Sequence, residues 1–396
     1  MGVVPPKHAA SLPLQWSETQ NVAWKTEIPH LGLSTPVVME GKAWLTTATR
    51  EGHDAFVLCI DAESGEVLLN KKLFHSEQPE PLGNNINTYA SPSAVLEPGR
   101  AYISFGSTGT ACLDAVTFET LWSRRDLPCR HYRGPGSSAI LHGQLLILTM
   151  DGVDQQYLVA LDKRNGQTVW KTDRTAFWDD LDSQGLPKRE GDMRKAYSTP
   201  LVVKMNGRTQ MISAGAKAAY GYDPTTGNKL WQIDHRDHSS SASLVYGAGM
   251  VYVMTGFSKA ECLAIRVDGQ GEVSDTHIAW RYRKGMPRTP SPVLTKGLLF
   301  TLADNGTVTC LNAKTGEPVW SERLDGKYAA SMLLARDRLY CASQEGTTTV
   351  LKAGAEYKVL ASNVLSSGGM ASPAVAHNAL FLRTQTHLYC IEEPSK

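Results

Sequence analysis

One phrase recurs along this chain, and its final copy is divided between the two termini. VLCIDAESGEVLLN (57–70), YLVALDKRNGQTVW (157–170), AYGYDPTTGNKLW (219–231) and VTCLNAKTGEPVW (308–320) share one plan. Each runs from a short apolar stretch to an Asp or Asn, a Gly four residues on, and an aromatic residue or Leu eight residues on. That pattern reads as strand, tight turn, strand. The Asp position is filled by Asp61, Asp114, Asp162, Asp223, Arg266, Asn312, Lys352 and Glu392, which counts eight units. Their spacings run from 40 (312 to 352) to 61 (162 to 223). Periods of that size with several short strands per unit are those of propeller blades. The strand after the turn ends at Trp122, Trp170, Trp231, Trp280 and Trp320, with Leu69 and Leu360 in two weaker copies.

A second motif precedes each phrase: LSTPVV (33–38), YASPSA (89–94), YSTPLV (197–202), TPSPVL (289–294) and MASPAV (370–375). Gly-Ser-Ser at 136–138 and Ala-Ala-Ser at 329–331 are degenerate forms. Small residues suit the crowded inner strand of a blade, and Pro is tolerated where a strand begins. The last copy, HLYCIEEPSK, stops after its third strand, and NVAWKTEIP (21–29) supplies the missing fourth. The expected fold is therefore all-β: an eight-bladed propeller of four-stranded antiparallel blades, its ring closed by pairing of the N-terminal strand with the C-terminal blade. An open solenoid or a pair of sandwiches would not split a repeat. Residues 1–14 read as a leader or the remnant of one, and 15–396 as a single propeller with an acidic insertion at about 172–195.

The net charge of +1 over 396 residues offers no general field for nucleic acid, and no run of 18 apolar residues predicts a transmembrane segment. Four of the seven cysteines (Cys59, Cys112, Cys310 and Cys390) hold one repeat position, where a small hydrophobe packs. Cys262 and Cys341 read as strand interior. Cys129, beside Arg130 and His131, is the one placed for reactivity.

Function is expected in the loops that lead into each inner strand. Aligned on those strands, the loops gather His30, Asn85, Asn87, Tyr89, Arg130, His131, Tyr132, Arg133, Arg194, Lys195, Tyr197, His235, His238, Arg288, Lys327 and Tyr328 around one funnel. A near-neutral chain that collects its cations at one mouth makes a local positive potential, suited to an anionic small molecule or an oligosaccharide. His131, Tyr197, His235, His238 and Arg194 form a catalytic set for lyase- or hydrolase-type acid–base chemistry. Convergent histidines would instead hold a divalent metal. In the insertion, Asp180, Asp182 and Gln184 followed by Gly185 copy the first half of a calcium loop, but the closing acid is missing at Gly191.

The phrase ALDKRNGQTVW (160–170), with the split last blade, resembles the pyrroloquinoline-quinone-like (PQQ-like) propeller repeat family. That family includes quinoprotein alcohol dehydrogenases and the propeller lipoprotein of the outer-membrane β-barrel assembly machine. LPLQWSETQNVAWKTEIP, RGPGSS and RKAYSTP are similar to a branch abundant in planctomycete-type bacteria. The resemblance implies a periplasmic or secreted location. Its dehydrogenase branch implies a quinone beside calcium, an adjacent Cys-Cys pair and a Trp floor. This chain has no adjacent cysteines and no Glu in the funnel loops, which argues against quinone use. The assembly branch implies a scaffold that binds protein partners through exposed loops.

Overall fold

The computed structural model describes residues 3–4, 12–83, 86–205 and 207–393. Eight sheets of four antiparallel strands form an eight-bladed propeller. Blade 1 runs outward through Val37–Met39, Lys42–Ala48, Asp54–Asp61 and Val67–His75. The inner strands of blades 2 to 7 are Val95–Glu97, Ile140–His142, Leu201–Met205, Val245–Gly247, Val293–Thr295 and Leu333–Ala335. Blade 8 takes Ala374–Ala376, Ala379–Arg383 and His387–Ile391 from the end of the chain, and Val22–Glu27 from its beginning. The two termini pair antiparallel, with Trp24 opposite Cys390 and Glu27 opposite His387. Two blades carry an additional short parallel strand: Gly271–Glu272 on the outer strand of blade 4, and Val3–Val4 on the inner strand of blade 7.

Burial follows the radial order. The second and third strands are packed on both faces, and Leu145–Asp151 is buried throughout, so these strands read as unbroken apolar runs. The fourth strand alternates, as in Val22–Glu27.

The recurring phrase has a physical cause at each of its positions. The Asp or Asn side chain accepts backbone N–H groups two and three residues ahead, as Asp61 does from Glu63 and Ser64, and Asn312 from Lys314 and Thr315. This closes the turn without help from a neighbouring strand. The Gly four residues on has positive φ (74° at Gly166), and its N–H donates to the carbonyl of the Asp. The Trp belongs to the joint with the next blade. Trp24 lies against Gly65, Trp122 against Gly166, Trp170 against Gly227 and Trp280 against Gly316. Four of the indoles also donate across the joint: Trp24 to the Ala62 carbonyl, Trp122 to Lys163, Trp280 to Ala313 and Trp320 to Gly354. The Trp24–Gly65 contact shows that the split blade docks like any other.

Blade 2 supports this reading by its exception. Blade 1 ends in Leu69 rather than Trp, and the Gly position of blade 2 is Phe118, at φ 61° and packed edge-on to Trp44. A smaller residue on one side of the joint is matched by a larger one on the other.

All seven cysteines are free and buried. Leu12, on the leader side of the expected boundary, is buried in the core between blades 7 and 8, and its carbonyl accepts from Arg338. Trp16 stacks on Tyr340 with ring centroids 6.2 Å apart. No described helix is long and apolar enough to cross a membrane.

Candidate functional site

The inner-strand motif builds the wall of the central channel. One hydroxyl residue from each blade occupies the same register: Thr35, Ser93, Ser138, Thr199, Ser243, Ser291, Ser331 and Ser372, all facing one cavity of about 350 Å³. They are joined blade to blade. The backbone N–H of Thr35 donates to Ser93 Oγ (2.9 Å), Ser93 to Ser138 (2.9 Å) and Ser138 to Thr199 Oγ1 (3.0 Å). Ser243 donates likewise to Ser291 (2.8 Å), Ser291 to Ser331 (2.9 Å) and Ser331 to Ser372 (3.0 Å). The residues two positions earlier form an upper tier that includes Ser91, Tyr197 and Thr289. In blade 2 the Pro of YASPSA stands two residues early, at Pro92, so alignment on Pro alone slips there.

Five of the expected site residues line this cavity: Asn87, Arg133, Lys195, Tyr197 and His238, with Asp192 and Phe257 beside them. Asn87 Nδ2 donates to the carbonyls of Arg133 (2.8 Å) and Pro135 (3.0 Å), and its Oδ1 accepts from Ser91. The Arg133 guanidinium lies 4.6 Å from the centre of the Tyr132 ring, and the Lys195 ammonium 5.8 Å from it. Lys195 is paired with Asp192, and burial lowers its pKa. The Tyr197 hydroxyl is buried with no hydrogen-bond partner among the described residues, and burial raises its pKa well above the ordinary phenol value. His238 Nδ1 is 3.4 Å from both Ser258 Oγ and Asp237 Oδ1. Burial alone would raise the Asp237 carboxyl. The His238 side chain and the N–H groups of Ser258, His238 and Lys259 hold it down at about 2.

Among the described residues, the other expected side chains are not in the channel lining. His131 is buried, and its Nε2 accepts the Ser107 N–H at 3.1 Å, which puts the proton of the neutral ring on Nδ1. That nitrogen is 3.7 Å from Cys129 Sγ. Burial drives the His131 pKa down to about 4 and the Cys129 thiol well up. Cys129 therefore lacks the cationic, accessible setting of a reactive thiol. His235 is also buried, its Nδ1 accepts the Asp237 N–H, and burial takes its pKa to about 4. These two imidazoles are neutral packing groups.

Arg194 is held bidentate by Asp180 (2.6 and 2.9 Å), with its guanidinium 5.8 Å from the Trp178 ring centre. Asp182 accepts N–H groups from Gln184 and Leu186 within its own turn. The two aspartates of the calcium-loop pattern thus already have other partners. Among the described residues no three His, Cys, Asp or Glu side chains converge to hold a metal. Phe177 is 83% exposed.

His30 stacks on Phe56 at 4.6 Å, Tyr89 donates to the Glu80 carbonyl, and Arg130 pairs with Glu80 at 3.2 Å. Glu80 also accepts the Tyr132 N–H. Tyr328 is fully buried and donates to the Asp325 carbonyl. Asn85 lies outside the described residues. Arg288 and Lys327 line a separate groove of about 930 Å³ over blades 4 to 6, and the Arg288 guanidinium lies 4.9 Å from the Phe257 ring centre. Phe257 and the hydroxyl ring escaped the loop alignment. The ring did have a sequence signal: a Ser or Thr in every one of the eight inner-strand motifs.

The channel does not match a quinone site of the dehydrogenase type. Among the described residues no Trp lines it, and Asp192, the one lining carboxylate among them, is engaged by Lys195.

The profile of the PQQ-like repeat family described as outer membrane protein assembly factor BamB matches residues 14–192 and 269–357. No curated protein sequence matches the chain significantly. Among solved structures, BamB from Moraxella catarrhalis superposes with a TM-score of 0.63 at 13% identity, covering 93% of this chain and 99% of that one. Quinohemoprotein alcohol dehydrogenase from Comamonas testosteroni gives 0.69 at 11% identity, covering 96% and 79%. A europium-containing methanol dehydrogenase gives 0.69 at 11%, covering 91% and 84%. At these identities the structural likeness speaks for the fold alone. The profile spans about two thirds of the chain, and the chain belongs to this family of PQQ-like propeller repeats.

Proposed function

We propose that this propeller binds an anionic or carbohydrate ligand at the mouth of its central channel, in a periplasmic or secreted setting like that implied by the family's name. The observation that carries the reading is the grouping of Arg133, Lys195 and the unpartnered Tyr197 hydroxyl around one cavity. A buried hydroxyl without a partner is costly, and a ligand oxygen would remove that cost. Lys195 is paired with Asp192, so the Arg133 guanidinium is the cation that favours a carboxylate or sulfate, while Phe257 offers a ring face for the sugar. Because His131 and His235 are packing groups, any acid–base role at this cavity falls to Tyr197 and His238.

A protein-binding scaffold is the second reading, and the groove lined by Arg236, Lys259, Arg288 and Lys327 is the surface it would use. The channel is preferred because Tyr197, one of several buried polar groups without a partner among the described residues, lines it.

The test is a thermal-shift screen with uronic-acid oligosaccharides and sulfated sugars on wild type, Lys195→Ala, Tyr197→Phe and Arg288→Ala. A bound ligand raises the melting temperature by mass action. The shift is expected in wild type and Arg288→Ala, and is expected to be lost or strongly reduced in the other two variants. A shift that survives in Lys195→Ala and Tyr197→Phe but disappears in Arg288→Ala would move the site to the groove.

A further inference from the structure

The hydroxyl ring has a direction. Ser93, Ser138, Thr199, Ser291, Ser331 and Ser372 each accept a backbone N–H from the preceding blade. That bond occupies one of the two lone pairs on each hydroxyl oxygen. None of the six finds an acceptor for its own proton among the described residues, and all six face the cavity. The upper tier behaves differently: Ser91 donates to Asn87, Ser241 to the Ser239 carbonyl, and Thr289 to Asp304. Of these two tiers, the Ser and Thr protons without an acceptor among the described residues thus fall in the lower ring. Above it stand three further donors: Tyr197, whose buried hydroxyl has no partner among the described residues and stays protonated, Arg133, and Lys195, which is paired with Asp192.

We infer that the ring is an oxyanion-selective throat, in which the carboxylate or sulfate of the ligand accepts hydrogen bonds from inner-strand hydroxyls while the rest of the ligand lies at the mouth. The inference rests on the proposed ligand site and deepens it. The fold supplies the cause. Among the described residues, six blades satisfy the N–H two residues before an inner strand on the next blade's hydroxyl. That leaves the proton as the group each of these six hydroxyls presents to the axis. An ionised carboxylate is acceptor-only and complements such a ring, whereas a sugar hydroxyl brings a donor of its own and a metal cation meets protons.

The experiment is calorimetric titration of D-glucuronate and its neutral methyl ester into wild type, Ser138→Ala/Ser331→Ala and Ser138→Thr/Ser331→Thr. Thr already stands in the ring at 35 and 199, so the Thr pair keeps both hydroxyls. Wild type is expected to bind glucuronate at least tenfold more tightly than the ester. The Ala pair is expected to lose at least tenfold for glucuronate with little change for the ester, and the Thr pair to bind as wild type does.

If the Ala pair binds glucuronate as wild type does while Lys195→Ala does not, the throat is wrong and the mouth reading stands. If wild type binds neither compound, nor any uronate or sulfated sugar, the mouth reading falls as well. Should the Ala pair fail to fold, the acid-to-ester ratio in wild type decides: a ratio near one overturns the throat.

Discussion

At the residue scale, the sequence identified which side chains the loops carry but not which way they turn. The catalytic set of His131, Tyr197, His235, His238 and Arg194 combined two residues that face the channel with three that do not. His131 and His235 are held neutral by burial, and the Arg194 guanidinium is tied up in an ion pair with Asp180. Nothing in the pattern CRHYRGP or HRDH separates a packing imidazole from an exposed one, because loop backbone direction is set by tertiary contacts such as the Ser107 N–H on His131. The same geometry fixes a pH response. Each ring has a folded pKa of about 4 against an ordinary value of 6.5, so the unfolded chain binds the proton more readily. Their contribution is complete above pH 6.5 and is lost as pH falls towards 4, on the order of 3 kcal/mol each. Thermal melts of wild type and a His131→Gln/His235→Asn variant between pH 7.5 and 4.5 check this. Wild type is expected to lose the larger share of its stability on acidification, and parallel curves would remove the histidines from the account.

At the scale of the element, the blade was legible because its signals are local. The Asp-capped turn, the left-handed Gly and the alternating outer strand each depend on residues close in sequence. The joint was half legible. The Trp was visible in the pattern, but its partner is the Gly of the following blade, some 40 residues on, as Trp122 and Gly166 show. A methyl group on Gly166 would meet Trp122 Cε3 at 2.7 Å, at a φ of 74° that disfavours a side chain. Gly166→Ala is expected to destabilise the protein by about 1–3 kcal/mol, readable as a lower urea midpoint with an unchanged slope. An unchanged midpoint would mean that the indole gives way and the contact is slack. In the insertion at 172–195 the acidic spacing copies half of a calcium loop, and a solvated acidic loop fits the same residues; in the structure Asp180 clamps Arg194 and Asp182 caps a turn.

At the scale of the whole molecule, the split repeat determined closure, and the observed pairing of Val22–Glu27 with His387–Ile391 follows it. Deleting residues 15–28 removes that strand, Trp16 and the Trp24 joint together, and is expected to abolish the cooperative melting transition. A sharp transition in the truncated protein would show that seven blades and a remnant suffice. The channel is the property least visible from any single segment, since its wall takes one position from each of eight copies. The central claim is that this channel holds an anionic ligand, and a crystal soaked with a uronate oligosaccharide tests it most directly. Difference density between the hydroxyl ring and Lys195, with its carboxylate turned inward, is the expected result. Density confined to the groove beside Arg288, with the channel holding only solvent, would contradict it.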